Sequence, residues 1–334
     1  MKRLAQIFVV LAILATIVAC APKPAAPEAA ATPATPAIDK SSVFITVASG
    51  PTSGLYYPIG GGIGSVVGNA LGYRSSVQST GASVENINLI LGEKAELAIV
   101  MSDAVLQAFQ AFGAFQGQPP KEDLRGLMSL YPNYVQLVTI ESSGIKTFDD
   151  LKGKRVGVGA PNSGVEVNAR LMLEAHNLTY NDIRPDYLNY GEAIDQMRNG
   201  LVDAAFVTSG IPNATILDLA TTKKIRVIPI EGAGMANLKA KYPFFTADII
   251  PAGTYGNEAD VNTATIMNIL LVSKGLSDEV VYDITKGLFD NISMVQDTHN
   301  AAKKHVNLQT ALEGMVVPLH PGAEKFYREA GILK

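Results

Sequence analysis

The hydrophobic pattern of the chain alternates between short runs of Val, Ile and Ala and longer stretches whose apolar residues recur every three or four positions. Short runs of this kind are typical of buried strands, and the longer stretches are typical of helices that cover a sheet with one face. Strands that alternate with helices usually form parallel sheets. The pattern therefore predicts an α/β architecture of mostly parallel sheets flanked by helices.

Two parts of this pattern repeat each other. A strand predicted over residues 44–48 leads into the turn SGPTSG and then into a helix that begins near Leu55. A strand predicted over residues 155–158 leads into the turn GAPNSG and a helix that begins near Val165. Because small polar residues crowd many strand-to-helix turns, one such match carries little weight by itself.

A second pair of segments follows in the same order. Residues 95–102 read AELAIVMS and residues 201–209 read LVDAAFVTS, and each segment follows a predicted helix and ends a predicted strand in serine. Two matches in one order predict two lobes that share a topology, with a cleft between them. We expect residues 41–133 and 252–334 to form the first lobe and residues 134–251 to form the second.

The N-terminus has the three-part pattern of a secretory signal. Lys2 and Arg3 precede an apolar run over residues 7–18, and a small residue then precedes Cys20. The run is too short to span a bilayer, and Gly, Pro or charge soon interrupts every later apolar run. We therefore expect a signal peptide over residues 1–19 and a soluble body after it.

Cys20 is the one cysteine of the chain. Its position resembles the bacterial lipobox, which implies cleavage before Cys20 and acyl chains on that residue. The alternative is a buried thiol with no role beyond packing, although exported proteins normally use cysteines in pairs. The Ala-, Pro- and Thr-rich segment within residues 20–40 is predicted to be an extended linker that holds the body at a membrane surface.

The charges of the chain nearly balance, with 27 Lys and Arg residues against 31 Asp and Glu residues. No stripe of basic residues interleaved with aromatic residues is present. Such a stripe is the signature of nucleic-acid binding, so nucleic acid is excluded as a partner. The weakly acidic balance does not select among the remaining classes of function.

Five predicted strand-to-helix turns are the candidate binding region, because ligands of open α/β sheets bind beyond the carboxyl ends of the strands. The turns cover residues 50–57, 79–86, 101–103, 162–166 and 209–213. The candidate ligand-binding residues in them are Thr52, Ser53, Gly54, Tyr56, Tyr57, Thr80, Gly81, Ser83, Ser102, Asp103, Asn162, Ser163, Gly164, Ser209, Gly210 and Pro212.

The chemistry of these turns suits an anion. Free backbone N–H groups at a helix start near Leu55, with the hydroxyls of Thr52 and Ser53, would hold a carboxylate, unless those hydroxyls only cap the helix. Ser163 with a Glu three residues later predicts a capping box, which leaves Asn162 and the Gly164 N–H for the ligand.

Two further positions have alternative interpretations. Tyr56 and Tyr57 are adjacent and point in different directions, so one can enter the cleft while the other packs. Pro212 is predicted near the first position of a helix, where its missing N–H costs nothing.

The sequence offers little support for catalysis. Ser143 and Lys146 satisfy a Ser-x-x-Lys pattern, but they fall in a predicted turn before a helix, far from the candidate cleft. Gly159 and Gly164 have phosphate-loop spacing, but Val165 and Glu166 stand where Lys and Ser or Thr are required. No Gly-x-Ser-x-Gly turn and no metal-ligand spacing of His, Cys or Asp occurs. The four histidines lie apart from the five turns in sequence, most of them predicted on a solvated surface. The sequence therefore predicts a binding protein that is not an enzyme and has neither a cofactor nor a metal ion.

Four segments, ASGPTSGLYYPIGGGI, QSTGASVENI, VGVGAPNSGVEVNAR and IPAGTYGNEADVNTATIMNILLV, resemble the TAXI family in order and spacing. TAXI proteins are the solute receptors of one branch of the TRAP transporters. The resemblance implies a two-lobed periplasmic-binding-protein fold of type II. It also implies a small carboxylate ligand, such as glutamate, glutamine or 2-oxoglutarate, and a membrane permease as partner, in the periplasm or at the outer cell surface.

The sequence leaves three points undecided: the partner of the ligand carboxylate, the anchoring membrane and the alternative functions. No arginine lies in the five turns, so Arg74, Arg125 or Arg170 would have to reach a ligand carboxylate from a neighbouring element. The anchoring membrane is either the inner or the outer one. The alternative functions are a lipid-anchored enzyme on the same fold and a surface lipoprotein that binds macromolecules.

Overall fold

Ten strands form one mixed sheet in the computed structural model, which describes residues 38–334. The signal peptide, Cys20 and most of the linker predicted above lie outside the described residues. The strands are β1 (Phe44–Ala48), β2 (Arg74–Gln78), β3 (Leu97–Met101), β4 (Arg125–Ile140), β5 (Arg155–Gly157), β6 (Arg184–Asp186), β7 (Ala204–Ser209), β8 (Ile225–Ile228), β9 (Thr246–Ile250) and β10 (Val261–Val272).

Helices cover this sheet. They are α1 (Tyr56–Ser65), α2 (Ser83–Leu91), α3 (Ser102–Gln110), α4 (Gly164–Ala175), α5 (Tyr190–Arg198), α6 (Ala214–Thr222), α7 (Gly232–Lys241), α8 (Asp278–Asp290), α9 (Ser293–Gln296), α10 (Asn300–His305) and α11 (Pro321–Glu329). A π-helical turn, Val66–Ala70, extends α1. No helix within residues 38–334 has both the length and the apolar character needed to cross a bilayer.

The sheet has parallel ends and an antiparallel centre. Its strand order is β2-β1-β3-β10-β4-β7-β5-β6, with β8 on β4 and β9 on β10. Strand β1 is parallel to β2 and β3, and β5 is parallel to β6 and β7, whereas β10 runs against β3 and β4. The predicted α/β fold with two lobes is confirmed.

The two long central strands connect the lobes. Strand β4 has 16 residues and β10 has 12, and both are buried along most of their length. We call the half built on β1 to β3 the first lobe and the half built on β5 to β8 the second lobe. The boundaries at residues 133, 134, 251 and 252 stay a prediction.

The repeated turns have the predicted elements on both sides. Strand β1 leads through the first turn into α1, and β5 leads through the second into α4. Ser163 caps α4 by accepting a hydrogen bond from the Glu166 N–H at 3.1 Å. The predicted capping box is nevertheless half formed, because the Glu166 carboxylate pairs with Arg170 at 2.6 Å and accepts from the Tyr180 hydroxyl at 2.9 Å.

The prediction that Pro212 begins a helix is wrong. Helix α6 begins at Ala214, and Asn213 caps it by accepting a hydrogen bond from the Thr215 N–H at 2.9 Å. Asn213 is itself held by the Tyr255 hydroxyl, which accepts from its N–H at 2.8 Å. An Asn at the cap position satisfies the free N–H groups of the helix, so the helix begins after it rather than at the proline.

Candidate functional site

A cavity lies where the two lobes meet above the centre of the sheet. The cavity has a volume of about 30 Å³, measured as the space open to the centres of water molecules. Its walls consist of Pro51, Gly54, Leu55, Tyr56, Gly81, Ala82, Met101, Tyr131, Asn133, Ala160, Ser163, Val165, Leu188, Asn189, Tyr190, Thr208 and Ser209. All five turns of the sequence analysis contribute to these walls, so the topology brings them together.

Three helices start at the cavity wall without a side-chain cap. Leu55 precedes α1, Ala82 precedes α2 and Met101 precedes α3, and no side chain hydrogen-bonds to any of these cap positions. The first N–H groups of a helix carry partial positive charge and favour an anion. Acids of the protein already stand at two of these starts: the Glu85 carboxylate accepts from the Gly81 N–H at 2.6 Å beside α2, and Asp103 lies in the first turn of α3. The start of α1 has no acid in its first turn.

A buried amide organises the floor of the cavity. Asn268, in the middle of β10, is fully buried and donates from Nδ2 to the Tyr131 carbonyl at 2.8 Å. Its Oδ1 accepts from the Tyr56 hydroxyl at 2.5 Å and from Asn133 Nδ2 at 3.1 Å. These bonds fix the Tyr56 and Asn133 side chains in the cavity wall.

Three polar atoms of the wall have no hydrogen-bond partner among the described residues. They are the Tyr131 hydroxyl, Asn133 Oδ1 and the Thr208 hydroxyl. Each of these residues is at most 1% exposed. A buried polar atom without a partner costs about 1–3 kcal/mol. These three atoms around one cavity are hydrogen-bonding positions that a polar ligand or a buried water molecule can fill.

The lobes touch each other beside the cavity. The Glu85 N–H donates to the Asn162 carbonyl at 3.2 Å, and Asn168 Nδ2 donates to Asp103 Oδ2 at 2.5 Å. A Cβ added at Gly164 would lie 2.7 Å from the Ser83 hydroxyl. These contacts between the first and second lobes describe a closed cleft.

Asp103 is the buried acid of this lobe contact. Desolvation raises its pKa to about 7, although hydrogen bonds from the backbone N–H groups of Ala104 and Asp103 and from the Asn168 side chain oppose that rise. Its Oδ1 has no partner within the described part of the chain. Near neutral pH the Asp103 carboxyl group at the lobe contact is therefore partly protonated.

The structure distributes the predicted site residues over several places. Five of them line the cavity: Gly54, Tyr56, Gly81, Ser163 and Ser209. Others are buried without being part of its wall: Thr80, Ser83, Ser102, Asp103, Gly164 and Gly210. Pro212 is half-buried and Tyr57 is 38% exposed, both apart from the wall. Of the adjacent tyrosines, Tyr56 is therefore the one in the cleft.

Thr52, Ser53 and Asn162 lie outside the cavity wall. Thr52 and Ser53 line a neighbouring surface pocket with Asp218 and His299, and Asn162 lines an outer groove with Arg170. Neither hydroxyl caps α1, because that helix start lacks a side-chain hydrogen bond.

The prediction that most histidines lie on a solvated surface is wrong, because His176, His299 and His305 are half-buried and His320 is 2% exposed. His299 also lies beside Thr52 and Ser53 of the first turn rather than away from it. The His320 ring instead caps α11, where Nδ1 accepts from the Gly322 N–H at 3.2 Å. No three His, Cys, Asp or Glu side chains within residues 38–334 converge as metal ligands.

None of the three candidate arginines lines the cavity. Arg170 pairs with Glu166 and stacks on the Tyr180 ring, 4.3 Å from its centroid. Arg74 lies over the Phe44 ring. Arg125 donates to the Glu122 and Leu124 carbonyls. All three are engaged with protein groups outside the cleft.

Sequence reasoning missed the wall residues that belong to strands and to the turn before α5. These are Tyr131, Asn133, Leu188, Asn189, Tyr190 and Thr208. A usable signal was present in β4 and β10, because Asn133 and Asn268 each interrupt a local apolar run, over residues 130–135 and 266–272. A polar residue inside a buried strand needs partners, and here those partners surround the cavity.

The two lobes and their shared central sheet define the class of proteins with the two-lobed periplasmic-binding-protein fold. Residues 47–331 match the family model described as NMT1-like family. The chain therefore belongs to the NMT1-like family.

Solved structures share this fold at low identity. A protein from Bordetella bronchiseptica RB50 aligns with a TM-score of 0.53 and 18% identity, over 86% of this chain and 82% of that one. PhnD1 from Prochlorococcus marinus, in complex with methylphosphonate, aligns with a TM-score of 0.52 and 9% identity, over 87% and 99%. A periplasmic transporter aligns with a TM-score of 0.51 and 16% identity, over 87% and 93%. At these identities the likeness shows the fold alone.

Proposed function

We propose that the protein is the extracytoplasmic solute receptor of a TRAP transporter of the TAXI type, and that it captures a small carboxylate in the cavity. The observation that carries the proposal is the uncapped start of α1, which has no acid in its first turn, in the wall of a cavity that both lobes enclose. The motif resemblance favours the TAXI type over other receptors on this fold.

The carboxylate rests on amides and hydroxyls rather than on an arginine. Each helix N-terminus carries about half a positive charge. The Glu85 carboxylate already accepts from the Gly81 N–H at the start of α2, so the start of α1 supplies most of the positive potential for a ligand carboxylate. The Tyr131 and Thr208 hydroxyls, which lack partners in the described structure, supply further donors. Tyr56 and Tyr190 provide the aromatic surface for the rest of the solute.

Closure of the lobes follows from contacts on both sides of the cleft. Gly81 and Tyr56 belong to the first lobe, whereas Ser163 and Tyr190 belong to the second. A solute that touches both sets stabilises the closed form, since a ligand shifts an equilibrium only by its differential affinity for the two states.

Binding without conversion is the second part of the proposal. The walls present hydroxyls, amides and apolar groups, and no charged side chain among the described residues lines them. General acid–base chemistry needs a group that exchanges protons near the operating pH within reach of the ligand. We propose that the solute leaves the cavity chemically unchanged.

Delivery to a membrane permease completes the proposed role. The lipobox-like Cys20 and the Ala- and Pro-rich linker would hold the closed receptor near the membrane, where its effective concentration at the permease is high. This part of the proposal rests on the sequence alone.

Isothermal titration of purified, ligand-free protein against amino acids and dicarboxylates tests the proposed function. We expect one or more panel members to bind with a Kd well below millimolar, the affinity that corresponds to about −4 kcal/mol. Recovery of the bound solute unchanged after incubation is the second expected result. If no member binds at millimolar concentration, or if the solute is converted, the proposal is wrong.

A further inference from the structure

The cavity wall has hydrogen-bonding capacity but no charge of its own. Its polar side chains are Asn, Ser, Thr and Tyr, and within residues 38–334 no Lys, Arg, His, Asp or Glu lines it. Positive potential comes mainly from the start of α1, because the Glu85 carboxylate accepts from the Gly81 N–H at the start of α2. This potential balances at most one ligand carboxylate. A second carboxylate in the same cavity would lose its hydration without a matching cation, at a cost of several kcal/mol in real proteins.

The hydrogen-bond network fixes which atom of Asn133 a ligand meets. The Tyr131 carbonyl accepts only, so Asn268 must direct its Nδ2 to that carbonyl and its Oδ1 to the other side. That Oδ1 accepts from Asn133 Nδ2. Rotation of the Asn133 amide would bring two oxygens together, so its Oδ1 must be the atom left without a partner in the described structure.

An unpaired carbonyl oxygen in a buried wall requires a donor. Asn133 is 1% exposed, and its Oδ1 can only accept a hydrogen bond. A carboxylate opposite this oxygen would place two acceptors in contact, whereas an N–H group would satisfy it. Asn133 therefore discriminates between an amide and a carboxylate of the same shape.

Resting on the proposed function, we infer that the cavity selects solutes with a single carboxylate and a separate N–H donor, and that it rejects dicarboxylates. The carboxylate lies against the start of α1, and the N–H group donates to Asn133 Oδ1. A site built to hydrogen-bond a ligand N–H strongly disfavours the analogue that lacks it.

Matched solutes test this inference. Glutamine and glutamate differ by one terminal NH₂ group in place of an oxygen, and asparagine and aspartate form a second pair. Titration at constant pH and salt should show the amide of the preferred pair binding at least about tenfold tighter than the acid. If the acid binds as tightly as the amide or more tightly, the inference is overturned while the proposed function stands. If no member of either pair and no other carboxylate binds, the proposed function fails instead.

A charge added to the wall gives an independent test. Leu188 lines the cavity and is half-buried, so a long side chain at this position can reach the ligand while its stem stays at the surface. Leu188→Arg should supply the missing cation and shift the amide-to-acid affinity ratio at least about tenfold toward the acid. Leu201→Arg, which adds the same charge at a position 53% exposed and outside the cavity wall, should leave the ratio within about twofold of the wild-type value. If Leu188→Arg leaves the ratio unchanged in a folded protein, lack of charge in the wall is not what excludes dicarboxylates.

Discussion

At the scale of single residues, the site is defined by polar atoms that the protein itself does not satisfy. Thr208 ends β7 beside the cavity, and its carbonyl accepts from the Tyr190 hydroxyl at 2.5 Å, while its own hydroxyl has no partner within residues 38–334. Such a hydroxyl adds no hydrogen bond within the protein and is available to a ligand.

Thr208→Val is therefore expected to weaken solute binding without lowering stability. Valine keeps the shape and removes one hydrogen bond to the ligand, about 1 kcal/mol or roughly fivefold in affinity. Titration calorimetry and chemical denaturation measure the two effects. Thr46→Val, in β1 and outside the cavity wall, is the matched control and should keep wild-type affinity. Wild-type affinity in Thr208→Val would remove Thr208 from the site.

Two buried tyrosines give a pair of opposite expectations. The Tyr131 hydroxyl lacks a partner in the described structure, whereas the Tyr327 hydroxyl donates to the Leu127 carbonyl at 3.0 Å. Tyr131→Phe should weaken binding roughly fivefold with unchanged or raised unfolding free energy, because no protein hydrogen bond is lost. Tyr327→Phe should lose about 1 kcal/mol of stability and keep its affinity. The reverse pattern would contradict the assignment of Tyr131 to the ligand.

The candidate residues found from the sequence all came from turns, because turn composition is local information. Gly81, Ser163 and Ser209 belong to such turns and line the cavity. Asn133 and Tyr131 lie within β4 and face the cavity only because β10 and β4 pair at the centre of the sheet. The local hydrophobic pattern does not show which strands pair when they are so distant in sequence.

At the scale of elements, the start of α3 carries the acid that responds to pH. Asp103 lies in the first turn of α3 and meets Asn168 of α4 across the lobe contact. Burial raises its pKa from 3.8 to about 7. At pH values between 3.8 and about 7, Asp103 therefore keeps its proton in the folded protein and has lost it in the unfolded chain.

Asp103 should lower stability as pH rises. A group that binds more protons in the folded state reduces the unfolding free energy with increasing pH between about 4 and 7, and the loss levels off above 7. Asp103→Asn removes this titration, so the stability of the variant relative to wild type should increase across that window. Denaturation midpoints at a series of pH values measure the difference. Asp297→Asn, at an exposed position, is the control, and parallel curves for wild type and Asp103→Asn would refute the assignment.

Elements themselves were largely predictable. The strand predicted over residues 44–48 and the helix predicted to begin near Leu55 match β1 and α1 within one residue, because strand and helix periodicities differ clearly there. The antiparallel centre of the sheet was not predicted, since strand direction depends on pairing rather than on composition. The start of α6 was misplaced because a proline was given more weight than the asparagine after it.

At the scale of the whole molecule, closure brings α4 of the second lobe against the first. Gly164 starts α4 and has no Cβ, and an added Cβ would lie 2.7 Å from the Ser83 hydroxyl and 3.1 Å from Met101 Cε. Contacts this short require a neighbour to move. The missing side chain is thus a condition for the closed cleft.

Gly164→Ala is expected to hinder closure while leaving each lobe folded. Alanine suits a helix better than glycine, so the stability of the ligand-free protein should not fall, but affinity should drop about tenfold or more as the lobes fail to meet. Titration calorimetry and the decrease in radius of gyration on ligand addition measure this effect. Gly61→Ala in α1 is the matched control, because nothing lies within 4 Å of its added Cβ. Full compaction and wild-type affinity in Gly164→Ala would contradict this role of the lobe contact.

The central claim is that this closed cavity captures a small carboxylate. Native mass spectrometry of the purified protein, followed by release and identification of whatever it carries, tests that claim most directly. We expect one small molecule per chain that contains a carboxylate, leaves on unfolding and is chemically intact. A released molecule without a carboxylate, or a chain that keeps its bare mass after exposure to the full panel of carboxylates, would contradict it.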